Sequence, residues 1–183
     1  MRLALLPVVA ALAATAAHAQ EYPTLKPGQW EMTMTSSRSA KDAPPVKTTM
    51  CTDDALQKEM TAMGTGMSRE LCAKYETRRD GARWLGHSEC TIGGSKMVAR
   101  NVMTLTGDTA YRMEVEATYD PPLAGMKESR SVLVGRWTGA CRDGLVPGDF
   151  VGPTGQKFNI KGIGAAKAPK PASPPASKPK APQ

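Results

Sequence analysis

Hydrophobic and polar residues alternate with period two over much of the chain, the signature of strands with one buried and one wet face. Trp30, Met32 and Met34 fall on one side of a strand whose other side carries Glu31, Thr33 and Thr35. Tyr111, Met113, Val115, Ala117 and Tyr119 alternate with Arg112, Glu114, Glu116 and Thr118. Residues 97–106 supply a partner strand, with Met97, Ala99, Met103 and Leu105 on one face. Parity selects the loop between these two. A two-residue Gly107-Asp108 turn would oppose Met103 to Arg112 and mismatch the faces, whereas a three-residue loop opposes Leu105 to Tyr111 and Met103 to Met113. Residues 131–138 alternate less and read as a strand covered on both faces; residues 47–51 and 157–160 are weaker strand candidates. Helical spacing predicts one short helix packed on the sheet: Thr52 as N-cap, Asp53 and Asp54 at the positive end, Leu56, Met60 and Met63 along one stripe, and Gly64 as the stop. Gly64-Thr65-Gly66 then reads as a flexible loop. The expected fold is mainly β, a β-rich α+β arrangement built as an antiparallel meander.

The ends of the 183-residue chain break this pattern. Arg2 precedes an apolar run over residues 3–17, interrupted by Pro7 and too short to span a membrane, and Ala17-His18-Ala19 offers a signal-peptidase site. We expect a signal peptide over 1–19, cleavage before Gln20 and a periplasmic or secreted mature chain with no transmembrane span. Residues 165–183 contain only Ala, Lys, Pro, Ser and Gln and read as a disordered basic arm. The formal charge of +7 therefore belongs mainly to that arm, and residues 20–164 form one nearly balanced domain. With the basicity there and two phenylalanines in the whole chain, base-stacking recognition of nucleic acid is not expected.

Four cysteines, Cys51, Cys72, Cys90 and Cys141, in an exported chain predict two disulfides with three possible connectivities. No C-x-x-C pair occurs, and only His87 remains once the leader is gone, so a metal centre is not predicted. Cys72 and Cys90 each lie nine residues from Gly81. A hairpin of residues 72–79 and 83–92 around a three-residue loop opposes them directly, a geometry a disulfide tolerates. Cys51 with Cys141 follows by elimination.

Leu25-Lys26-Pro27-Gly28-Gln29-Trp30-Glu31-Met32-Thr33 after a leader, Cys51-Thr52-Asp53-Asp54-Ala55 some way on, and Trp137-Thr138-Gly139-Ala140-Cys141 near the end form a pattern. It resembles the bacterial domain of unknown function family 3617, small exported proteins with a P-G-x-W-E start and spaced cysteines. The resemblance covers residues 22–149 and implies an envelope location and a β-rich fold; it transfers no catalytic residue. Gly28-Gln29-Trp30 also looks like the closed end of lipocalin-type barrels, where a late arginine stacks on the indole; Arg130 or Arg136 would fill that part. The sheet is accordingly expected as a lipocalin-like or partly open barrel, with Gly28, Trp30 and Trp137 as a structural motif.

Candidate chemistry is sparse. His87 is the only imidazole available to a triad and would sit opposite Tyr75 in the hairpin, the position of an ordinary strand histidine. Glu114 and Glu116 share a wet strand face. Arg78, Arg79 and Arg83 cluster at a hairpin tip. The mature chain is rich in methionine, a soft ligand for Cu(I), but Met32, Met34, Met60 and Met63 fall on apolar stripes and read as core. No catalytic, metal or cofactor residue is predicted. We expect a non-enzymatic domain that binds an apolar small molecule or envelope component through an apolar pocket or face, with Met32, Met34, Met103, Tyr111, Met113 and Val115 as the candidate apolar face. The alternative is a structural protein whose basic arm contacts peptidoglycan or anionic lipid.

Overall fold

The computed structural model describes residues 22–37 and 43–161. The expected leader, its cleavage point at Gln20 and the basic arm lie outside the described residues. Nine strands and one helix follow in the order β1 (Gly28–Ser36), β2 (Val46–Thr52), α1 (Asp54–Leu71), β3 (Cys72–Asp80), β4 (Arg83–Ile92), β5 (Ser95–Thr106), β6 (Ala110–Leu123), β7 (Met126–Gly139), β8 (Asp149–Val151) and β9 (Lys157–Asn159). They form one antiparallel sheet in the order β3-β4-β5-β6-β7-β1-β2-β8-β9. Strands β3 to β7 are a meander, and β1 docks beside β7 to start the second half. The sheet is open, so the expected lipocalin-like closure does not occur. Its margins are mismatched: β9 has three residues and cannot form a seam with the nine of β3.

The register of β5 and β6 follows the parity argument, with Met103 opposite Met113, Leu105 opposite Tyr111 and three residues in the loop. The hairpin of β3 and β4 differs. Asp80 pairs with Arg83 across a two-residue turn, Gly81-Ala82, which puts Glu76, not Tyr75, opposite His87. A bulge between Cys72 and Lys74 then restores Cys72 to a position opposite Cys90. One extra residue on β3 compensates for one fewer in the turn.

The helix also departs from expectation. Asp53, not Thr52, is its N-cap, accepting from the Leu56 N–H at 2.7 Å. That bond, aided by Lys161, lowers the Asp53 pKa. The helix does not stop at Gly64 but runs through Gly66 to Leu71. Each glycine costs about 1 kcal/mol against alanine. Ser68 Oγ donates to Gly64 O, and the added turns bring Met67 and Leu71 to the sheet beside Cys72, Tyr75, Cys90 and Met97.

Both disulfides pair as the spacing argument requires, Cys72 with Cys90 and Cys51 with Cys141. Gln29 of β1 opposes Cys51 on one side and Gly139 on the other, so the second bridge steps across β1 and fastens β2 to the end of β7. The sulfur-bearing Cys51 is fully buried. Beyond it, Asp149 organises β8 and β9: it is 3% exposed, accepts from Val146 N and Asn159 Nδ2, and pairs with Lys157 at 2.9 Å.

Two predictions follow from these constraints. Replacing Cys51 and Cys141 by serine removes a loop constraint of 90 residues and should cost about 4 to 5 kcal/mol, against about 3 for the 18-residue Cys72–Cys90 bridge, read by urea denaturation. The Val146 N–H, Lys157 and Asn159 lower the Asp149 pKa to about 2. The folded state therefore binds this proton less readily than the unfolded chain does. The stabilisation is complete above the ordinary value of 3.8 and is lost as pH falls through about 2. Melting temperature should fall over that window, and Asp149→Asn should lower it at neutral pH while flattening the acid slope.

Candidate binding cleft

Alternation along each strand puts Trp30, Met32, Met50, Thr52, Met103, Tyr111, Met113 and Leu133 on one face of the sheet, and α1 lies over that face. The floor is set by an aromatic pair, Trp30 and Tyr111, with ring centroids 5.6 Å apart. Gly135, between Met32 and Tyr111 in the register, makes this possible. A Cβ there would lie 2.2 Å from Tyr111 Cε1, so only glycine lets the ring rest on β7. Burial of the ring raises the Tyr111 pKa.

The segment before β1 forms one wall. Gln57 of α1 both donates to Leu25 O and accepts from Leu25 N, and Tyr22 Oη meets Thr65 Oγ1 at 3.0 Å. Burial, then the neighbouring Tyr22 hydroxyl, push Tyr75 up to about 12. Two indoles hold the other end of this strap: Trp30 Nε1 donates to Lys26 O and Trp137 Nε1 to Pro27 O, each at 2.9 Å. At Gly28, whose φ is +130°, a Cβ would lie 2.3 Å from Gly139 O. Gly28, Trp30 and Trp137 are thus brought together as a structural motif. The expected stacking of Arg130 or Arg136 on Trp30 does not occur. Arg130 pairs with Glu116 and Arg136 is exposed opposite Glu31; the cations that lie over indoles are Lys26, 4.1 Å from the Trp137 centroid, and Arg79, 5.8 Å from that of Trp84.

Between floor, strap and helix lies an apolar cavity of about 220 Å³. Two further hollows, of about 210 and 320 Å³, continue beneath α1 toward the Cys72–Cys90 bridge. The first two share Pro23, Thr61, Met103 and Met113 as walls, and the last two share Tyr75. Among the described residues Thr52 Oγ1 is the buried side-chain polar atom with no hydrogen-bond partner; its residue is 5% exposed and lines the first cavity. Over this row the helix buries Leu56 but leaves Met60, Met63, Met67 and Leu71 between 38 and 51% exposed. The predicted stripe exists, and the sheet beneath does not fill it.

A family model described as protein of unknown function (DUF3617) matches residues 25–141. The chain belongs to this family. No curated protein and no solved structure matches it. The DUF3617 match starts at Leu25 in the strap and ends at Cys141, so it spans the floor, the helix and all four disulfide cysteines.

Of the predicted apolar face, Met32, Met103, Tyr111 and Met113 line the cavity, while Met34 and Val115 lie beyond it on the same face, Met34 42% exposed. Thr52, Gln57, Gly135 and the strap were not anticipated as site residues. A glycine inside the strand-like run SVLVGRWT was the available signal for a close approach. Thr52 carried a misleading one, since a threonine before two aspartates reads as a cap. The candidate chemistry lies on the other face: His87 meets Glu89 at 3.4 Å, Glu114 pairs with Arg112, and Glu116 with Arg130. The family description carries no activity. Among the described residues there is no metal-holding cluster of His, Cys, Asp or Glu and no helix long and apolar enough to cross a membrane.

An unsatisfied buried hydroxyl costs about 1–3 kcal/mol. Thr52→Val, close in shape, should therefore stabilise the unliganded protein by about 1 kcal/mol in thermal or urea unfolding. A loss of stability would show that the hydroxyl already has a partner.

Proposed function

We propose that this DUF3617 protein is an exported, non-enzymatic binding domain of the periplasm that holds a single-chain amphiphile beneath α1. The chain body lies along the three hollows, and a hydrogen-bonding head group meets Thr52. The observation that carries this reading is the buried, unpartnered Thr52 hydroxyl in the wall of a mainly apolar cavity. Natural proteins rarely leave such a group unpaired, and a ligand is one way to satisfy it. The form of the row supports an elongated occupant: two of the hollows lie below the range of small-molecule sites and the third at its lower bound, but together they fall well within it. Methionines suit such a role because unbranched thioethers repack around variable chains. Export is supported by the fully paired cysteines, which an oxidising compartment sustains.

Native mass spectrometry of the protein produced with its own leader reads these elements together. The expected species starts at Gln20, carries two disulfides and retains an added lipid mass; a chain that keeps residues 1–19 or stays reduced would refute the exported form. Palmitate titrated against a fluorescent apolar probe tests the cleft. Thr52→Val should weaken palmitate by about tenfold, the value of one hydrogen bond to a charged head group, while Met60→Asp should weaken palmitate and probe alike. Val146→Asp, at an exposed site elsewhere, should change neither. Deleting residues 165–183 should leave palmitate binding intact; loss of envelope association in that variant without loss of binding would assign the association to the arm. Failure of palmitate to displace the probe would overturn the acyl-chain reading.

A further inference from the structure

Helix α1 carries three methionines, Met60, Met63 and Met67, spaced by three and then four residues. At 3.6 residues per turn they fall within roughly a 60° arc, and Leu56 falls in the same arc. The sheet buries Leu56, which is 2% exposed, and then leaves the stripe uncovered: Met60, Met63 and Met67 are 38, 46 and 51% exposed. Core filling therefore does not account for them. Successive members stand one turn apart, with Cβ atoms about 5–6 Å from each other, and Met63 lies in the middle of the set. Gly64 lies between the outer two, four residues after Met60 and three before Met67, and a Cβ built on it would meet nothing within 4 Å. A glycine inside a helix costs about 1 kcal/mol against alanine. At this position it leaves the helix surface between two thioethers bare, so that both long side chains can lean toward Met63.

We propose that Met60, Met63 and Met67 form a three-thioether site for a soft monovalent metal ion, Cu(I), on the open flank of α1. Thioether sulfur is a soft, polarizable donor that suits Cu(I). Other soft donors are withdrawn. Among the described residues every cysteine is in a disulfide, and no cluster of His, Cys, Asp or Glu is placed to hold a metal. His87 lies on the far face of the sheet beside Glu89. In the exported form proposed above this matters, because an oxidising compartment consumes thiols as disulfides and leaves methionine as the soft ligand still available.

Charge selects the ion further. Three neutral sulfurs leave a bound Cu(I) with its single positive charge. Glu59 and Glu70, both exposed, stand on the flank beside Met63, four residues before it and seven after it, and Lys58 and Arg69 fall on the side of the helix turned away from the stripe. The field at the site thus favours a cation. Zn(II) and Cu(II), which prefer nitrogen, oxygen or thiolate ligands, are not satisfied by three thioethers. Met60 also borders the first cavity, so the metal site and the cleft share one wall.

Cu(I), kept reduced by ascorbate under nitrogen, is titrated into the mature chain, residues 20–183, in competition with the chromophoric chelator bicinchoninate. The wild type should take one ion per chain. Met63→Leu should weaken binding about tenfold or more, and M60L/M63L/M67L should abolish it; leucine is close to methionine in volume and keeps the stripe apolar. Met34→Leu, at an exposed methionine outside the set, should change nothing. Thioethers carry no proton between about pH 5 and 8, so the affinity should stay flat over that range, unlike that of a histidine or thiolate site. Ag(I), an air-stable substitute, should shift the methyl resonances of Met60, Met63 and Met67 in spectra of methionine-labelled protein and leave those of Met32 and Met103 in place. These titrations contain no palmitate and are read independently of what the cleft holds. The triple variant, whose cavity wall stays apolar, should bind the apolar probe as the wild type does, which separates a lost metal site from a lost fold. Copper that stays with the chelator at every ratio, leucine variants that bind as the wild type does, an affinity that falls with acid over that range, or silver shifts at Met32 and Met103 would each overturn the proposal.

Discussion

Coverage sets the terms for the rest of this molecule. An 18-residue helix is about 27 Å long, whereas nine strands side by side span roughly 40 Å. One helix cannot seal one face of such a sheet. The chain responds by adding a second cover, the strap at Tyr22 to Gly28, and by placing its two most confining contacts where the covers meet. Trp30 and Tyr111 close the floor there, and the indoles of Trp30 and Trp137 hold the strap. What remains uncovered is the row of hollows beneath the helix and the exposed edges of its methionines.

The same shortage explains the cross-links. Among the described residues the apolar side chains that are fully withdrawn from water are few, and two of the buried apolar positions are themselves cysteines, Cys51 and Cys90. Sulfur bridges stabilise by restricting the unfolded chain, so they work where apolar burial is limited. Their positions are as informative as their number. One spans a hairpin, and the other crosses β1 to join β2 to the segment just beyond β7, two elements that share no ladder.

Much of the fold was legible in the sequence because strand faces have strict parity. The opposition of Met103 to Met113 and of Cys72 to Cys90 followed from counting positions, and the Cys51–Cys141 pair then followed by elimination. Counting failed where compensation was possible: a shorter turn and a bulge left the Cys72–Cys90 opposition intact and displaced His87 by one partner. It failed again at the helix, where two glycines argued for a stop and the chain stays helical to Leu71, directly before the disulfide-bonded Cys72. Whether a sheet closes depends on the lengths of its two margins, which strand patterns alone do not encode. The site was half legible. Its apolar floor lay in the alternation, but the Thr52 hydroxyl became distinctive only once Asp53 had taken the cap.

The two bridges flank α1, Cys51 two residues before its Asp53 cap and Cys72 directly after Leu71. A helix clamped at both ends cannot swing away like a lid. In the proposed binding role, exchange would then proceed by rotamer changes of methionine side chains along its flank, motions of picoseconds to nanoseconds, without the slower hinge opening of a cover free at one end. Cutting either bridge with a thiol would convert the roof from a fixed beam into a flap, and the volume beneath it from a set dimension into a fluctuating one.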